Sequence, residues 1–338
     1  MIVEMSKGAT REQIDHVVDK AHSLGFEVQL NLGTEKTVVA ILGGETGRTP
    51  TDVFAVLGGV EGVTRVMKPY KLASREFHPQ ATEIDVDSVH IGGEKIVIMA
   101  GPCAVESERQ LMDTAKAVKE LGGDIVRGGA FKPRTSPFSF QGLEAEGVTL
   151  LGKVSHTIGI PIITEVVDSK DLELLAKHAD ILQVGARNMQ NFSLLKDLSK
   201  LRHPIMLKRG LSATVTEWLT AADYLLAEGN KQVILCERGI RTFEDSTRFS
   251  MDISSIAVVK RFSHLPIIVD PSHAAGHFKY VPSIAKAAIA AGADGLLIEV
   301  HPNPEEALVD GLQSLTIPNF GRLLDELKPI AQAVGRYI

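Results

Sequence analysis

The chain has 338 residues, a length that predicts about two domains. Hydrophobic residues make up 44% and charged residues 23% of the sequence, which is typical of a globular protein and argues against a disordered or fibrous one. A net charge of −6, two cysteines and no apolar run near ~18 residues argue against nucleic-acid binding, a disulfide framework and a membrane span, so we expect a cytoplasmic protein.

Residues 1–66 alternate between strand and helix patterns in the order βαββαβ, which predicts a ferredoxin-like domain. A strand over residues 2–5 precedes a helix capped by Thr10 and ended by Gly25. Two strands over 26–30 and 37–42, a helix over 50–57 and a strand over 63–67 follow. This segment contains no catalytic constellation.

Residues 67–85 are polar and rich in turn formers, with Pro69 and Pro79, and predict a linker. A small hairpin over 86–91 is expected next, at the bottom of the second domain.

Residues 86–338 repeat one unit, in which a short apolar run rich in β-branched residues is followed by a helical pattern. The predicted strands cover residues 96–100, 125–127, 162–165, 181–184, 205–208, 233–237, 267–270 and 296–300. Eight such units in about 250 residues predict an α/β fold, a (β/α)8 TIM barrel. A doubly wound sheet is the alternative, but no Gly-x-Gly-x-x-Gly turn follows the first strand.

The stretch from Arg127 to Ser136 carries three cations and two hydroxyls without a carboxylate. Its glycines allow close approach of the backbone, and its arginines match phosphate oxygens, so the stretch predicts an anion-binding loop. A solvated basic loop is the simpler alternative.

In a barrel of this kind, chemistry lies at the carboxyl ends of the strands. Charged or reactive side chains follow nearly every predicted strand, and they are Cys103, Arg127, Glu165, Arg187, Lys208, Arg238, Asp270, His273 and Glu299. The cations, with Lys132 and Arg134, suit two polyanionic substrates. Cys103, His273, Glu299 and Asp310 are of metal-ligand types. Structural salt bridges and a merely packed thiol are the alternatives.

Several of these segments together resemble 3-deoxy-D-arabino-heptulosonate 7-phosphate (DAHP) synthases. The matching segments are residues 101–106, 127–142, 185–188, 207–210 and 270–273. They span the whole barrel, and residues 1–66 are similar to the ferredoxin-like regulatory extension of one bacterial type I subfamily. The resemblance implies a transferase that condenses phosphoenolpyruvate (PEP) with erythrose 4-phosphate and water. The products would be DAHP and phosphate, in the first step of the shikimate pathway to aromatic amino acids.

The resemblance also implies roles for individual residues. Cys103, His273, Glu299 and Asp310 would hold one divalent ion, which suits Mn, Fe, Co, Zn or Cd. Arg127, Lys132, Arg187, Lys208 and Arg238 would bind PEP, and Asp270 would assist substrate binding. Lys132, Arg134, Thr135 and Ser136 would face erythrose 4-phosphate. Lys132, Cys103, His273 and Glu165 would be catalytic, with either Glu165 or a metal-bound water delivering the attacking water.

Three alternatives stay open at this point. A 3-deoxy-D-manno-octulosonate 8-phosphate synthase would use arabinose 5-phosphate, although its typical Lys-Ala-Asn-Arg-Ser loop differs from Lys132-Pro133-Arg134-Thr135. A Schiff-base aldolase would use Lys132 or Lys208, and a metabolite sensor would consume neither substrate.

Regulation and assembly follow from the resemblance as further expectations. Tyrosine, with phenylalanine as a second candidate, would bind between the ferredoxin-like domains of a homotetramer and close the barrel mouths. A chain starting near Lys71 would then stay active and lose this inhibition.

Overall fold

The computed structural model describes residues 1–33, 36–43, 46, 49–65, 68–133 and 136–338. Contacts divide the chain into two units, one of Met1–Ala81 with Phe262–His264 and one of Thr82–Arg261 with Leu265–Ile338. The domain boundaries expected at 66 and 86 stay a prediction beside this division. Over the described ranges, no helix has both the length and the apolar character needed to cross a bilayer.

The first unit contains a four-stranded antiparallel sheet with the strand order β2-β3-β1-β4. Its elements are β1 (Ile2–Met5), α1 (Arg11–Ser23), β2 (Glu27–Leu32), β3 (Thr37–Leu42), α2 (Asp52–Ala55) and β4 (Val60–Thr64). The chain order βαββαβ confirms the expected ferredoxin-like topology. The last strand starts three residues earlier than predicted, because β1 pairs Met5 with Val60 and Ile2 with Thr64. Residues 66 and 67 of the predicted strand lie outside the described residues.

Helix α1 is fixed at its start by a capping box. The Thr10 side chain accepts from the Gln13 amide, and the Gln13 side chain accepts from the Thr10 amide. Ile14, Val17 and Ala21 recur at helical spacing on the buried face of α1 and contribute to the core against the sheet.

The segment expected to be a polar linker contains buried apolar side chains. Tyr70, Leu72, Ala73 and Phe77 are all buried. The Ser263 hydroxyl donates to the Ala73 carbonyl at 2.6 Å, and His264 Nε2 lies 2.8 Å from the Leu72 carbonyl oxygen. Phe262–His264 is therefore grouped with Met1–Ala81 in the first unit. The two contacts span 190 and 192 positions in sequence, and no local pattern reveals them.

In the described part of the second unit, eight parallel strands close into a barrel, which confirms the expected fold class. The barrel strands are β7 (Val97–Gly101), β8 (Ile125–Arg127), β9 (Ile162–Val166), β10 (Ile181–Val184), β11 (Ile205–Lys208), β12 (Val233–Glu237), β13 (Ile267–Val269) and β14 (Gly295–Glu299). Each bound lies within one residue of its predicted position. The short apolar runs were readable because parallel strands are buried on both faces.

Helices follow the strands along the chain, and the short α9, which carries His273, lies at the cavity. They are α3 (Glu108–Leu121), α4 (Glu144–Ile158), α5 (Leu172–His178), α6 (Phe192–Ser199), α7 (Val215–Leu226), α8 (Ile253–Phe262), α9 (Pro271–Ala275), α10 (Val281–Ala290) and α11 (Ile317–Ala333).

A hairpin of β5 (Ile84–Val86) and β6 (Val89–Ile91) precedes the barrel. Its four apolar side chains share one buried cluster with barrel-interior residues near the starts of the strands, such as Val97, Ile125 and Ile181. The hairpin therefore closes the amino-terminal end of the barrel, which leaves the carboxyl ends of the strands to form the functional face.

Candidate active site

A cavity of ≈ 290 Å³ lies among the loops at the carboxyl ends of the barrel strands. Most of the site residues predicted from sequence line it, namely Arg127, Lys132, Ser136, Glu165, Arg187, Lys208, Arg238, His273 and Asp310. Arg134 and Thr135 of the predicted anion loop lie outside the described residues. Side chains that are up to 183 positions apart in sequence thus lie on one face of the barrel, because parallel strands end at the same edge.

The four candidate metal ligands converge beside this cavity. Cys103, His273, Glu299 and Asp310 each offer a donor atom within 4.8 Å of the others. Cys103 Sγ lies 3.4 Å from Asp310 Oδ2, and His273 Nε2 lies 3.4 Å from Glu299 Oε1. One thiol, one imidazole and two carboxylates form a donor set that fits a divalent transition metal.

A hydrogen bond to Asp270 selects the nitrogen that His273 directs to this cluster. Asp270 Oδ2 accepts from His273 Nδ1 at 2.7 Å, while Asp270 Oδ1 accepts from the His273 amide at the start of α9. Burial raises the pKa of Asp270, but His273 and Lys208 outweigh it and hold that pKa well below its usual range. Metal-ligating histidines are commonly oriented in this way. Asp270 is 1% exposed, so the geometry favours action through His273 and Lys208, and its predicted part in substrate binding stays a prediction.

The thiol of Cys103 is buried next to Lys132. Lys132 Nζ lies 3.2 Å from Cys103 Sγ and donates to the Cys103 carbonyl at 2.9 Å. Burial, followed by the charge of Glu299, raises the pKa of Cys103 to about 12. A thiolate at this position therefore needs an additional positive charge, which a divalent ion at the cluster would supply.

Two of the cations are already paired with carboxylates. Arg127 donates to Glu299 Oε1 at 2.6 Å, and Lys208 donates to Asp270 Oδ2 at 2.6 Å. Both ion pairs are buried, so each guanidinium or ammonium group is held in one orientation at the cavity wall.

Three other predicted cations that line the cavity have different surroundings. Among the described residues, no carboxylate forms an ion pair with Arg238, Arg187 or Lys132. Arg238 lies over the ring of Phe249 at 4.1 Å, and burial lowers its pKa. Its buried Nη1 has no hydrogen-bond partner among the described groups, which an anionic ligand in the cavity would relieve.

Glu165 reaches the cavity across Gly185. A Cβ atom on Gly185 would lie 2.0 Å from Glu165 Oε1, so only glycine leaves the carboxylate its present position.

Sequence reasoning missed three residues around the site. Arg248 and Phe249, which precede α8, line the cavity, and Gln313 is buried beside Glu299. Their loops carry no periodic pattern, and the position of Gln313 three residues after Asp310 was the one usable indication.

The chain matches two protein families. Residues 77–334 match the DAHP synthetase I family, and residues 1–68 match the DAHP synthase ferredoxin-like domain. Among curated proteins, it is 48% identical over 335 residues to phospho-2-dehydro-3-deoxyheptonate aldolase of Thermotoga maritima, covering 99% of both chains. A 2-dehydro-3-deoxyphosphooctonate aldolase of Nitrosococcus oceani is 32% identical over 71% of this chain and 91% of its own.

Solved structures give the same result. The crystal structure of the Thermotoga maritima DAHP synthase has a TM-score of 0.80 and 47% identity, covering 99% of this chain and 98% of its own. A truncated form of that enzyme has a TM-score of 0.74 and 45% identity, covering 80% of this chain and 99% of its own.

The expected reaction, the condensation of PEP with erythrose 4-phosphate, is confirmed at the level of the family. The octulosonate relatives are more distant and match over a smaller share of the chain. By sequence over nearly its whole length and by structure, the chain belongs to the DAHP synthetase I family, with an N-terminal DAHP synthase ferredoxin-like domain.

Proposed function

We propose that the cavity binds PEP and erythrose 4-phosphate side by side and that Cys103, His273, Glu299 and Asp310 hold one divalent metal ion. One observation carries this proposal: a cluster of four metal-ligand donors adjoins a cavity whose lining includes Lys132, Arg187 and Arg238, three cations that no carboxylate of the described residues neutralises. Charge of this sign at close range draws two phosphorylated substrates into contact and offsets their mutual repulsion.

PEP is assigned to the deeper part of the cavity. Arg127 and Lys208 are held in place by buried ion pairs, and Arg238 presents a stacked guanidinium, so these groups suit the carboxylate and phosphate of PEP. Arg187, which is exposed, and Lys132 complete this set.

Erythrose 4-phosphate is assigned to the loop after β8. Lys132 and Ser136 of this loop line the cavity. Arg134 and Thr135 belong to the same assignment by sequence alone. Lys132 adjoins both Cys103 and the cavity, so its ammonium group suits the aldehyde end of this substrate.

The reaction joins C3 of PEP to the aldehyde carbon and adds water at C2. A bound divalent ion supplies Lewis-acid polarisation of the aldehyde. Lys132 stabilises the negative charge that develops on the aldehyde oxygen. Glu165 lines the cavity and holds the water that attacks C2, accepting its proton. The resulting phosphohemiketal then releases inorganic phosphate and leaves the keto product.

Regulation and assembly complete the proposal. The ferredoxin-like domain is the proposed site of tyrosine, with phenylalanine as a second candidate, and a homotetramer is the proposed assembly. Mn, Fe, Co, Zn and Cd all suit the donor set.

The assignment is tested by following the loss of PEP ultraviolet absorbance with each aldose phosphate, before and after chelation. We expect consumption with erythrose 4-phosphate that chelation abolishes and a divalent ion restores. Equal or faster turnover with arabinose 5-phosphate would overturn the substrate assignment, and trapping of a lysine adduct by borohydride would indicate a Schiff-base aldolase instead.

Cys103→Ser tests the metal site directly. We expect a folded protein that has lost most activity and most metal affinity, because a hydroxyl does not replace a thiolate ligand. Cys236→Ala is the matched control, since Cys236 lies in the barrel-interior cluster and outside the donor set. Full activity of Cys103→Ser in metal-buffered solution would remove Cys103 from the site.

A further inference from the structure

We infer that Gln313 and Arg248 are positioning residues that orient both carboxylates of the proposed metal site, so that each carboxylate turns one oxygen toward the other donor atoms of the cluster. The inference rests on the proposed metal site. It concerns side chains outside the four donors.

In each carboxylate of the cluster, the two oxygens contact different groups. Glu299 Oε1 lies 3.4 Å from His273 Nε2 and also accepts from Arg127 at 2.6 Å. Glu299 Oε2 accepts from Gln313 Nε2 at 2.7 Å. Asp310 Oδ2 lies 3.4 Å from Cys103 Sγ, while Asp310 Oδ1 lies 3.2 Å from Arg248 Nη1. The outward oxygen of each group is thus engaged by Gln313 or Arg248. Gln313 and Arg127 together fix the rotation of the Glu299 carboxylate, and Arg248 contributes to fixing that of Asp310.

The two positioning residues are themselves joined. Arg248 Nη1 donates to Gln313 Oε1 at 2.7 Å. This bond decides the direction of the Gln313 amide, because the oxygen must face Arg248 and the NH2 group must then face Glu299. Arg248 therefore acts on Asp310 directly and on Glu299 through Gln313. Partners of metal ligands commonly affect metal affinity by fixing ligand orientation in this way.

Local backbone structure explains the placement of Gln313. A short 3-10 helix covers Gly311–Gln313, with Asp310 as its N-cap. The Gln313 amide donates to the Asp310 carbonyl at 3.2 Å, so this single turn brings Gln313 back beside Asp310. Asp310 has a φ of 53°, a left-handed conformation that aspartate tolerates better than most residues. Gly311 is needed next, because a Cβ atom there would lie 2.1 Å from the Pro304 carbonyl oxygen.

The preceding loop adds a link between the metal site and the PEP site. Arg248 contacts Asp310, and the next residue, Phe249, lies under the guanidinium of Arg238. The dipeptide Arg248-Phe249 thus contacts both a proposed metal ligand and a proposed PEP-binding cation. Displacement of Arg248 is therefore expected to affect both sites.

The test is a titration of the full-length, metal-free protein with Co²⁺, followed through the absorption of the thiolate-to-cobalt bond. The variants are Gln313→Leu, Arg248→Met, Arg248→Lys and the double variant of Gln313→Leu with Arg248→Met. Arg241→Met is the matched control, since Arg241 is an exposed arginine of the same loop. Substrates are left out, so that any direct contact of Arg248 with a substrate phosphate does not contribute.

We expect each single loss to weaken Co²⁺ binding by about 10- to 100-fold, and the control to bind like the unaltered chain. The double variant should bind Co²⁺ only slightly more weakly than the single variant with the lower affinity, because Arg248 acts on Glu299 through Gln313 and the two losses are not additive. Arg248→Lys should recover part of the affinity, since an ammonium group still donates beside Asp310. Unfolding temperatures of the metal-free variants separate lost orientation from lost folding. Arg248→Met keeps the test informative if Gln313→Leu fails to fold.

Two results would refute the inference and are distinguishable from each other. Co²⁺ affinity within twofold of the unaltered chain in Gln313→Leu and Arg248→Met would show that the carboxylates orient without them. Absence of thiolate absorption in the unaltered chain would remove the metal site itself, and the positioning role with it.

Discussion

Arg238 shows at the level of one residue how burial acts on a cation that lines the cavity. It is 5% exposed, it stacks on Phe249, and burial lowers its pKa, yet its Nη1 has no partner among the described groups. Such an arrangement costs stability until an anion is bound. We therefore expect Arg238 to contribute more to anion binding than to folding.

We predict that Arg238→Lys raises the Michaelis constant for PEP roughly 10- to 100-fold and leaves that for erythrose 4-phosphate nearly unchanged. A lysine keeps the positive charge but loses the planar guanidinium and its stacking on Phe249. A charge-assisted hydrogen bond lost in this way is worth about 1.5–3 kcal/mol. Initial rates with each substrate varied in turn provide the measurement. If the erythrose 4-phosphate constant rises instead, the assignment of the two anions is reversed.

At the level of elements, the end of β10 and the end of β9 meet at Gly185 and Glu165. The backbone of Gly185 has a φ of −65°, which any residue adopts, so the demand for glycine comes from the carboxylate alone. The far end of the half-buried Glu165 side chain moves more readily than backbone does. A methyl group at 185 should therefore displace Glu165 without unfolding the barrel.

We predict that Gly185→Ala lowers kcat by about 100-fold, similar to the loss in Glu165→Gln, because both remove the carboxylate from the attacking water. Gly62→Ala in β4 is the control, since a Cβ atom there meets nothing within 4 Å. Steady-state rates and thermal unfolding of the three variants provide the comparison. A Gly185→Ala enzyme with normal kcat would exclude Glu165 from that step.

His264 is a buried histidine of the short segment Phe262–His264, which contacts Leu72 and Ala73. Burial lowers the pKa of His264 to about 4, and the nearby His78 and Arg75 act in the same direction. Its Nε2 lies 2.8 Å from the Leu72 carbonyl oxygen, so the neutral ring serves as a hydrogen-bond donor. The folded chain therefore favours neutral His264, while the unfolded chain protonates it near pH 6.5.

We predict that the stability from neutral His264 is intact above pH 6.5 and is lost as the pH falls toward about 4, by roughly 3 kcal/mol. His264→Gln keeps an N–H donor that does not titrate, so its free energy of unfolding should depend less on pH over this range. Denaturant unfolding at a series of pH values is the measurement, with the exposed His22→Gln as control. Parallel curves for His264→Gln and the unaltered chain would contradict the prediction.

At the scale of the whole molecule, the division into two units allows catalysis and regulation to be tested separately. A chain starting at Lys71 keeps Leu72 and Ala73, which contact His264 and Ser263, and removes the four-stranded sheet. We predict that it retains activity and loses inhibition by tyrosine, because the proposed effector site lies in the ferredoxin-like domain. Activity assays with increasing tyrosine provide the measurement. Inhibition as strong as in the full chain would place the effector site in the barrel.

The fold was largely readable from sequence because its elements repeat local patterns. Short β-branched runs mark each barrel strand, since such strands are buried on both faces, and Thr10 with Gln13 marks the start of α1. The bounds of β4 differ from the predicted ones because pairing with β1, a long-range contact, decides its register. The contact of Leu72 with His264, 192 positions away, was likewise not readable from sequence.

By itself, the sequence determined the two-part organisation, the barrel and the residue types available at its mouth, because strand ends can be located locally and parallel strands end together. Only the tertiary structure decided which cations are neutralised and which remain for a ligand. It pairs Arg127 with Glu299 and leaves Arg238 on Phe249. It alone also linked Gln313 and Arg248, 65 positions apart, to the metal-site carboxylates, because hydrogen-bond partners depend on loop geometry that no local sequence pattern encodes.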